Sequence, residues 1–196
     1  MKKLLIATSL AASAFVPSAA HAQAVPAAII VVVDLDKVTS DCTACKTASA
    51  ALRAQVTALQ SRESALATPL QTEQKSIQAA IDALGGKEPD AALQARVKAF
   101  QTRQQQGSQE LQRQQQQIQL NQQFVQKQIA AKLGPIYTQV MQRRGANIMV
   151  EIGQTLASSA GLDVSNDVVT ALNAALPTIQ AVAPAQTTRP QTPPGR

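Results

Sequence analysis

The sequence predicts a mainly α-helical protein with a small β body, an α+β fold in which a long antiparallel coiled-coil hairpin is inserted between two strands. Three observations support this prediction. An apolar, β-branched segment spans Ala27 to Leu35, aliphatic residues then recur at helical spacing on both sides of a turn-forming segment at 85–90, and a second β-branched segment spans Asn147 to Ile152. Because an antiparallel hairpin returns the chain to its starting point, we expect the two strands to be neighbours in a small sheet.

The first 22 residues have the organisation of a secretory signal peptide. A basic start is followed by an apolar run from Leu4 to Val16 and by the small-residue site that ends at Ala22, so we expect cleavage between Ala22 and Gln23. The apolar run is shorter than the roughly 20 residues that span a bilayer. We therefore predict a periplasmic protein.

Cleavage would remove His21, the single histidine, and would leave a mature chain with no tryptophan either. The mature chain then contains sixteen Lys and Arg and twelve Asp and Glu, which gives a net charge of +4. Phe100, Phe124 and Tyr137 are the remaining aromatic residues, too few for a large compact core, so we expect an elongated shape.

The first arm of the hairpin is predicted as one helix of about 40 residues and about 60 Å. Thr39, Ser40 and Asp41 are candidate N-caps, and Pro69 is expected to kink the helix. Its inward positions alternate by four and three residues, as in a coiled coil. They are Leu52, Val56, Leu59, Glu63, Leu66, Leu70, Glu73, Ile77, Ala80 and Leu84.

The second arm continues the same alternation after the tip at 85–90, but its inward positions are less apolar. They are Leu93, Val97, Phe100, Gln104, Gly107, Leu111, Gln114, Ile118, Asn121 and Val125. Sixteen of the 35 residues from Gln94 to Gln128 are glutamine, a composition that is also compatible with disorder. Glutamine is a good helix former and the aliphatic residues keep phase, so we predict a loosely packed helix.

The chain divides into a signal peptide (1–22), a first part of the body (23–41), the arm (42–133), a second part of the body (134–177) and a tail (178–196). Gly134-Pro135 is expected to break or bend the helix, 154–157 to add a short third strand, and 163–177 to form a short helix. The Pro/Thr/Gln-rich tail is predicted to be disordered. A body this small is marginally stable alone, so we expect oligomerisation through Ile30, Val32, Ile148 and Val150.

The two ends of the layout carry distinctive segments, Val32-Val33-Asp34, Gly134-Pro135-Ile136-Tyr137 and the run from Leu162 to Asn173. With these segments on either side of a long coiled hairpin, the chain resembles the Skp/OmpH family of periplasmic chaperones. The resemblance implies a homotrimer whose three arms enclose a cavity for unfolded outer-membrane proteins. The arm residues that we expect to contact clients are Leu59, Leu66, Leu70, Ile77, Leu84, Leu93, Val97, Phe100, Arg96, Lys98, Arg103 and Arg113.

Positive charge is concentrated in residues 42–145, which hold 13 basic and 6 acidic side chains. This excess is either an ordinary solvated helix surface or a means of attracting acidic clients and anionic membrane headgroups. Nucleic acid is not expected as a partner, because the basic residues are not interleaved with aromatic ones.

Cys42 and Cys45 are spaced as in redox and metal motifs, but we favour a structural disulfide, within one chain or between chains. Haem attachment would require His where Lys46 stands, and a zinc site would lack two ligands, so no cofactor is predicted.

Enzymatic activity is not expected, because the mature chain offers no histidine base, nucleophile elbow or phosphate loop. Asp34 and Asp36 are more simply interpreted as residues that end a strand. The predicted function is an ATP-independent holdase for unfolded outer-membrane proteins. The alternative is a structural or adaptor coiled coil of the cell envelope.

Overall fold

A computed structural model describes residues 26–184. The predicted signal peptide and the last part of the predicted tail, residues 185–196, lie outside this range. The elements in chain order are β1 (Ile30–Val33), α1 (Leu35–Asp41), α2 (Thr43–Asp82), α3 (Ala91–Arg144), β2 (Ile148–Glu151) and α4 (Ser165–Ala175). The predicted fold class is confirmed, with a long helical hairpin between two paired strands.

The strands β1 and β2 pair in parallel, with Ile30 opposite Ile148 and Val33 opposite Glu151. The predicted third strand at 154–157 is wrong, because Ile152–Gln154 form a 3-10 turn and the chain then leaves the sheet. The second edge of β1 is occupied instead by the residues before α4. There the backbone N–H of Val164 donates to the carbonyl oxygen of Val32 at 2.9 Å.

The helix start predicted at residues 39–41 is also wrong, because these residues lie inside α1. The cap of α1 is Asp34, whose carboxylate accepts from the backbone N–H of Lys37 at 2.8 Å. The hydroxyl of Thr39 donates to the carbonyl oxygen of Leu35 at 3.0 Å, a bond that a helix interior also allows. Cys42 then caps α2 through its sulfur, which accepts from the backbone N–H of Cys45.

The arm consists of α2 and the longer α3, joined at the predicted tip. Gly85 and Gly86 have φ values of 54° and 90°, which only glycine adopts readily, and Asp90 caps α3. The Gln-rich segment is helical throughout. The predicted break at Gly134-Pro135 is absent, since α3 runs without interruption to Arg144. Gly134 has no Cβ to clash with the proline ring, and Ile136 and Val140 are buried in the body, which keeps the helix in place.

The hydrophobic core lies where the base of the arm meets the sheet and α4. Val38 from α1, Val140 from α3 and Leu172 from α4 are fully buried there, beside Val31 and Val33 of β1. The body is therefore held together by side chains from both ends of the chain, which confirms that the hairpin is an insertion. Within the described residues, none of the helices combines the length and apolar character needed to cross a bilayer.

The tail prediction is wrong for residues 178–184, which are ordered against the arm. The side chain of Gln128 in α3 bonds to both backbone groups of Gln180, and Gln55 in α2 donates to the carbonyl oxygen of Ala181. Side-chain amides of the arm thus make the hydrogen bonds that water would make to the backbone of a disordered tail.

Candidate functional site: the arm and the exposed sheet edge

The apolar residues predicted to contact clients lie along both helices of the arm and at its tip. Ile77 is buried, and the other seven remain partly exposed. The seven are Leu59, Leu66, Leu70, Leu84, Leu93, Val97 and Phe100. A two-helix arm covers one side of each such residue and leaves the other side to solvent, so the seam presents a half-covered apolar strip that is interrupted by polar positions such as Glu63 and Glu73.

Three of the predicted residues come together in a groove near the tip. Leu93, Val97 and Lys98 line it with Ile81 and Pro89, and its volume is about 580 Å³. Ile81 was not predicted, because it lies one position beyond the expected seam, yet it is 40 % exposed. The groove combines apolar side chains with one lysine, which suits a client segment that carries apolar side chains and a negative charge.

The four predicted basic residues divide into two kinds. Arg96 is engaged within the arm: its guanidinium donates to the Glu73 carboxylate at 2.7 Å and to the Ser76 hydroxyl at 2.7 Å. In the part of the chain that the structure describes, Lys98, Arg103 and Arg113 are exposed and form no ion pair. These three, and not Arg96, are available to an anionic partner.

A second ion pair across the arm joins Arg62 of α2 to Glu110 of α3, with Nε and Nη2 of the guanidinium donating to the two carboxylate oxygens at 2.9 and 3.1 Å. Hydrogen bonding to the guanidinium lowers the pKa of the Glu110 carboxyl, and Arg96 lowers the pKa of the Glu73 carboxyl in the same way. Sequence spacing alone did not predict either pair, because each joins two helices whose register the tip decides.

The residues predicted to mediate oligomerisation share one face of the sheet, since alternate residues of a strand point to the same side. Ile30 and Ile148 lie opposite each other and are 42 % and 41 % exposed, whereas Val32 is buried and Val150 half-buried. Among the described residues, the outer edge of β2 has no neighbouring strand. An open strand edge beside two exposed isoleucines is a surface that another strand can cover.

Cys42 and Cys45 form a disulfide in the structure, and both are buried in the core at the start of α2. Within residues 26–184, no group of three or more His, Cys, Asp or Glu side chains is arranged to hold a metal ion. The cysteines thus lie among apolar core side chains and away from the arm surface.

Comparisons with known proteins give the family. The model of the OmpH family, described as outer membrane protein (OmpH-like), matches residues 29–172, which is most of the chain. Among solved structures, the chain is similar to a protein from Caulobacter crescentus CB15 that was provisionally assigned as an OmpH-like outer membrane chaperone. The two share 16 % sequence identity with a TM-score of 0.65, over 80 % of this chain and 90 % of that one. No curated protein matches significantly in sequence. The chain therefore belongs to the OmpH-like family, a family of chaperones.

Proposed function

We propose that the protein is a periplasmic, ATP-independent holdase that binds unfolded outer-membrane proteins and prevents their aggregation. The observation that carries the proposal is the half-covered apolar strip of the arm, from Leu59 to Phe100 through the tip groove. Many shallow apolar contacts suit a client without fixed structure, whereas a single deep pocket suits one defined ligand. The family is non-enzymatic, and the predicted signal peptide would deliver the chain to the periplasm.

The proposal includes a homotrimer assembled through the sheet. The exposed pair Ile30 and Ile148 and the open edge of β2 support it, because a two-stranded sheet leaves apolar surface that a second copy would bury. Light scattering on the mature protein should give three times the chain mass. A compact monomer at micromolar concentration would remove the cage that three arms are proposed to form.

The holdase test is suppression of aggregation. Diluting a denatured β-barrel protein into buffer with the mature chain should reduce light scattering at near-stoichiometric ratios, without ATP. No suppression at any ratio would exclude the function. Recovery of one dominant folded partner from envelope extract would favour the structural or adaptor alternative.

A matched pair of charge reversals tests whether the arm surface attracts clients or an anionic membrane surface. Lys98→Glu at the tip groove and Arg143→Glu at the body end of α3 change the net charge equally. We expect Lys98→Glu alone to slow client association, more strongly at low salt than at high salt. The same pair assayed on anionic vesicles distinguishes membrane contact from client contact.

A further inference from the structure

Residues 178–184, here called the strap, are held by backbone groups of residues 180–183 and by the side chain of Ile179, which packs against the body core. The side-chain amide of Gln128 donates to the carbonyl oxygen of Gln180 at 2.9 Å and accepts from its N–H at 3.1 Å. A single glutamine thus satisfies both backbone groups of one residue. A neighbouring β-strand bonds a residue in the same two-point way.

Two further amides extend this arrangement across both helices of the arm. Gln55 in α2 donates to the carbonyl oxygen of Ala181 at 3.1 Å, and Asn121 in α3 accepts from the N–H of Ala183 at 2.9 Å. We call Gln55, Asn121 and Gln128 the backbone site. Its four bonds to the strap all go to backbone groups.

The backbone site is oriented by the arm as well as by the strap. Asn121 is only 3 % exposed, donates to the side-chain oxygen of Gln55 at 2.8 Å and accepts from the side chain of Gln117 at 2.9 Å. The side-chain nitrogen of Gln128 also donates to the carbonyl oxygen of Phe124 in its own helix. Asn121 is the buried member of this network, and a buried amide that loses a partner costs free energy, so an empty site favours a replacement at Asn121.

Ile179 packs against the body core, but the strap side chains beyond it contribute little specificity. Ala181 and Ala183 are small, and Val182 is 62 % exposed. Recognition through main-chain hydrogen bonds accepts many sequences, because every residue except proline offers the same N–H and carbonyl groups. The site therefore fits an extended polypeptide with few demands on its sequence.

The path of the strap leads into apolar surface. From Gln128 to Asn121 it runs towards the tip of the arm, and a groove of about 250 Å³ begins at Gln55 and Asn121 and continues along Ala58, Leu59 and Ile118. An extended segment longer than the strap would continue from the backbone site into this groove. Leu59 is also one of the residues predicted from sequence to contact clients.

We propose that the base of the arm is a docking site for the backbone of an extended segment of an unfolded client, and that the strap occupies it in the absence of client. This inference rests on the proposed holdase function and adds where a client segment binds and what it displaces. The strap is attached to the same chain, so its high effective concentration sets a threshold that only a client with several contacts along the arm overcomes.

The test uses the full mature chain and a variant in which the strap loses two of its four hydrogen bonds to the backbone site. Gln180→Pro with Ala183→Pro removes the two N–H groups that the site accepts, while Val182→Pro, at an exposed position that makes no such bond, is the matched control. The probe is a fluorescent peptide of residues 177–184, used beside the same peptide N-methylated at the nitrogens of positions 180 and 183.

We expect the peptide to bind the double-proline variant at least tenfold more tightly than the parent chain or the Val182→Pro control. N-methylation should weaken binding at least tenfold, and unfolded client should displace the peptide. In the parent chain, bound client should accelerate hydrogen exchange at the amides of Gln180 and Ala183.

Equal binding to all three chains, tight binding of the N-methylated peptide, or bound client that leaves both amides protected would overturn the inference. Failure of the holdase function gives a different pattern, in which the peptide binds as expected but client neither binds nor stays soluble. That pattern excludes the client as the occupant and so also overturns the inference.

Discussion

The body contains a core of fully buried apolar side chains, whereas the arm leaves nearly all of its own partly in solvent. Val38, Val140 and Leu172 are fully buried in the body, but from residue 50 to residue 120 only Ile77 and Gly107 are buried. Burial of apolar area is the main source of stability, so the body carries most of the folding free energy. The same two helices can therefore contribute to a stable base at one end and form a weakly packed, adaptable arm at the other.

The largest expected effect is at the centre of the body. Leu172→Ala removes a fully buried side chain and should lower the free energy of unfolding by about 3 kcal/mol. Urea denaturation followed by circular dichroism measures it. Leu156→Ala, at a fully exposed position after β2, is the control and should change the value by less than about 0.5 kcal/mol.

A smaller loss is expected for Ile77, the buried isoleucine in the outer part of the arm. Ile77→Ala should cost about 1–2 kcal/mol, because solvent and neighbouring side chains relax into the space more easily than in the body. Hydrogen exchange should show faster opening of α2 and α3 near the mutation while α4 keeps its protection. Ile81→Ala, on the exposed side of the same helix, should have less effect. If exchange in α4 rose equally, arm and body would unfold as one unit.

A change of opposite sign is expected at Gly107, where the packing leaves room for a Cβ. A Cβ at this position would lie 3.7 Å from Leu66 Cδ1, an ordinary contact, so Gly107→Ala should stabilise α3 by about 0.5–1 kcal/mol through helix propensity. Gly134→Ala is the contrasting control, since a Cβ before Pro135 disfavours the helical conformation. Hydrogen exchange of α3 measures both, and a loss of protection in Gly107→Ala would contradict the expected gain.

The smallest effect is expected from the exposed ion pair between Arg96 and Glu73. Because the pKa of Glu73 is lowered from its ordinary value of 4.5, the pair stabilises the arm above that pH and ceases to do so as pH falls through the lowered pKa. Arg96→Gln should therefore slightly accelerate amide exchange near the tip at neutral pH and have no effect at about pH 2, after correction for intrinsic exchange rates. High salt should reduce the difference. An effect that persisted at acid pH would assign the role of Arg96 to its bond with Ser76.

Much of the arm could be predicted because its information is local and periodic. The spacing from Leu52 to Leu84 required a helix, and Gly85-Gly86 required a turn of a kind that glycine permits. The predicted inward positions Ile77, Gly107 and Val125 are indeed buried, although Val56 and Glu63 at the same spacing are exposed. Which arginine is paired and which is free could not be predicted, because the partners Glu73 and Glu110 lie on the opposite helix.

The sequence by itself determined a helical hairpin between two β-branched segments, because periodicity and turn chemistry act between residues near each other in the chain. The tertiary structure decided whether α3 would pass through Gly134-Pro135, which segment would occupy the second edge of β1, and that the strap would bind Gln128. Each of these depends on groups brought together from distant parts of the chain. A buried core can outweigh a local helix breaker, and a side-chain amide can take the place of solvent, only after folding has placed them side by side.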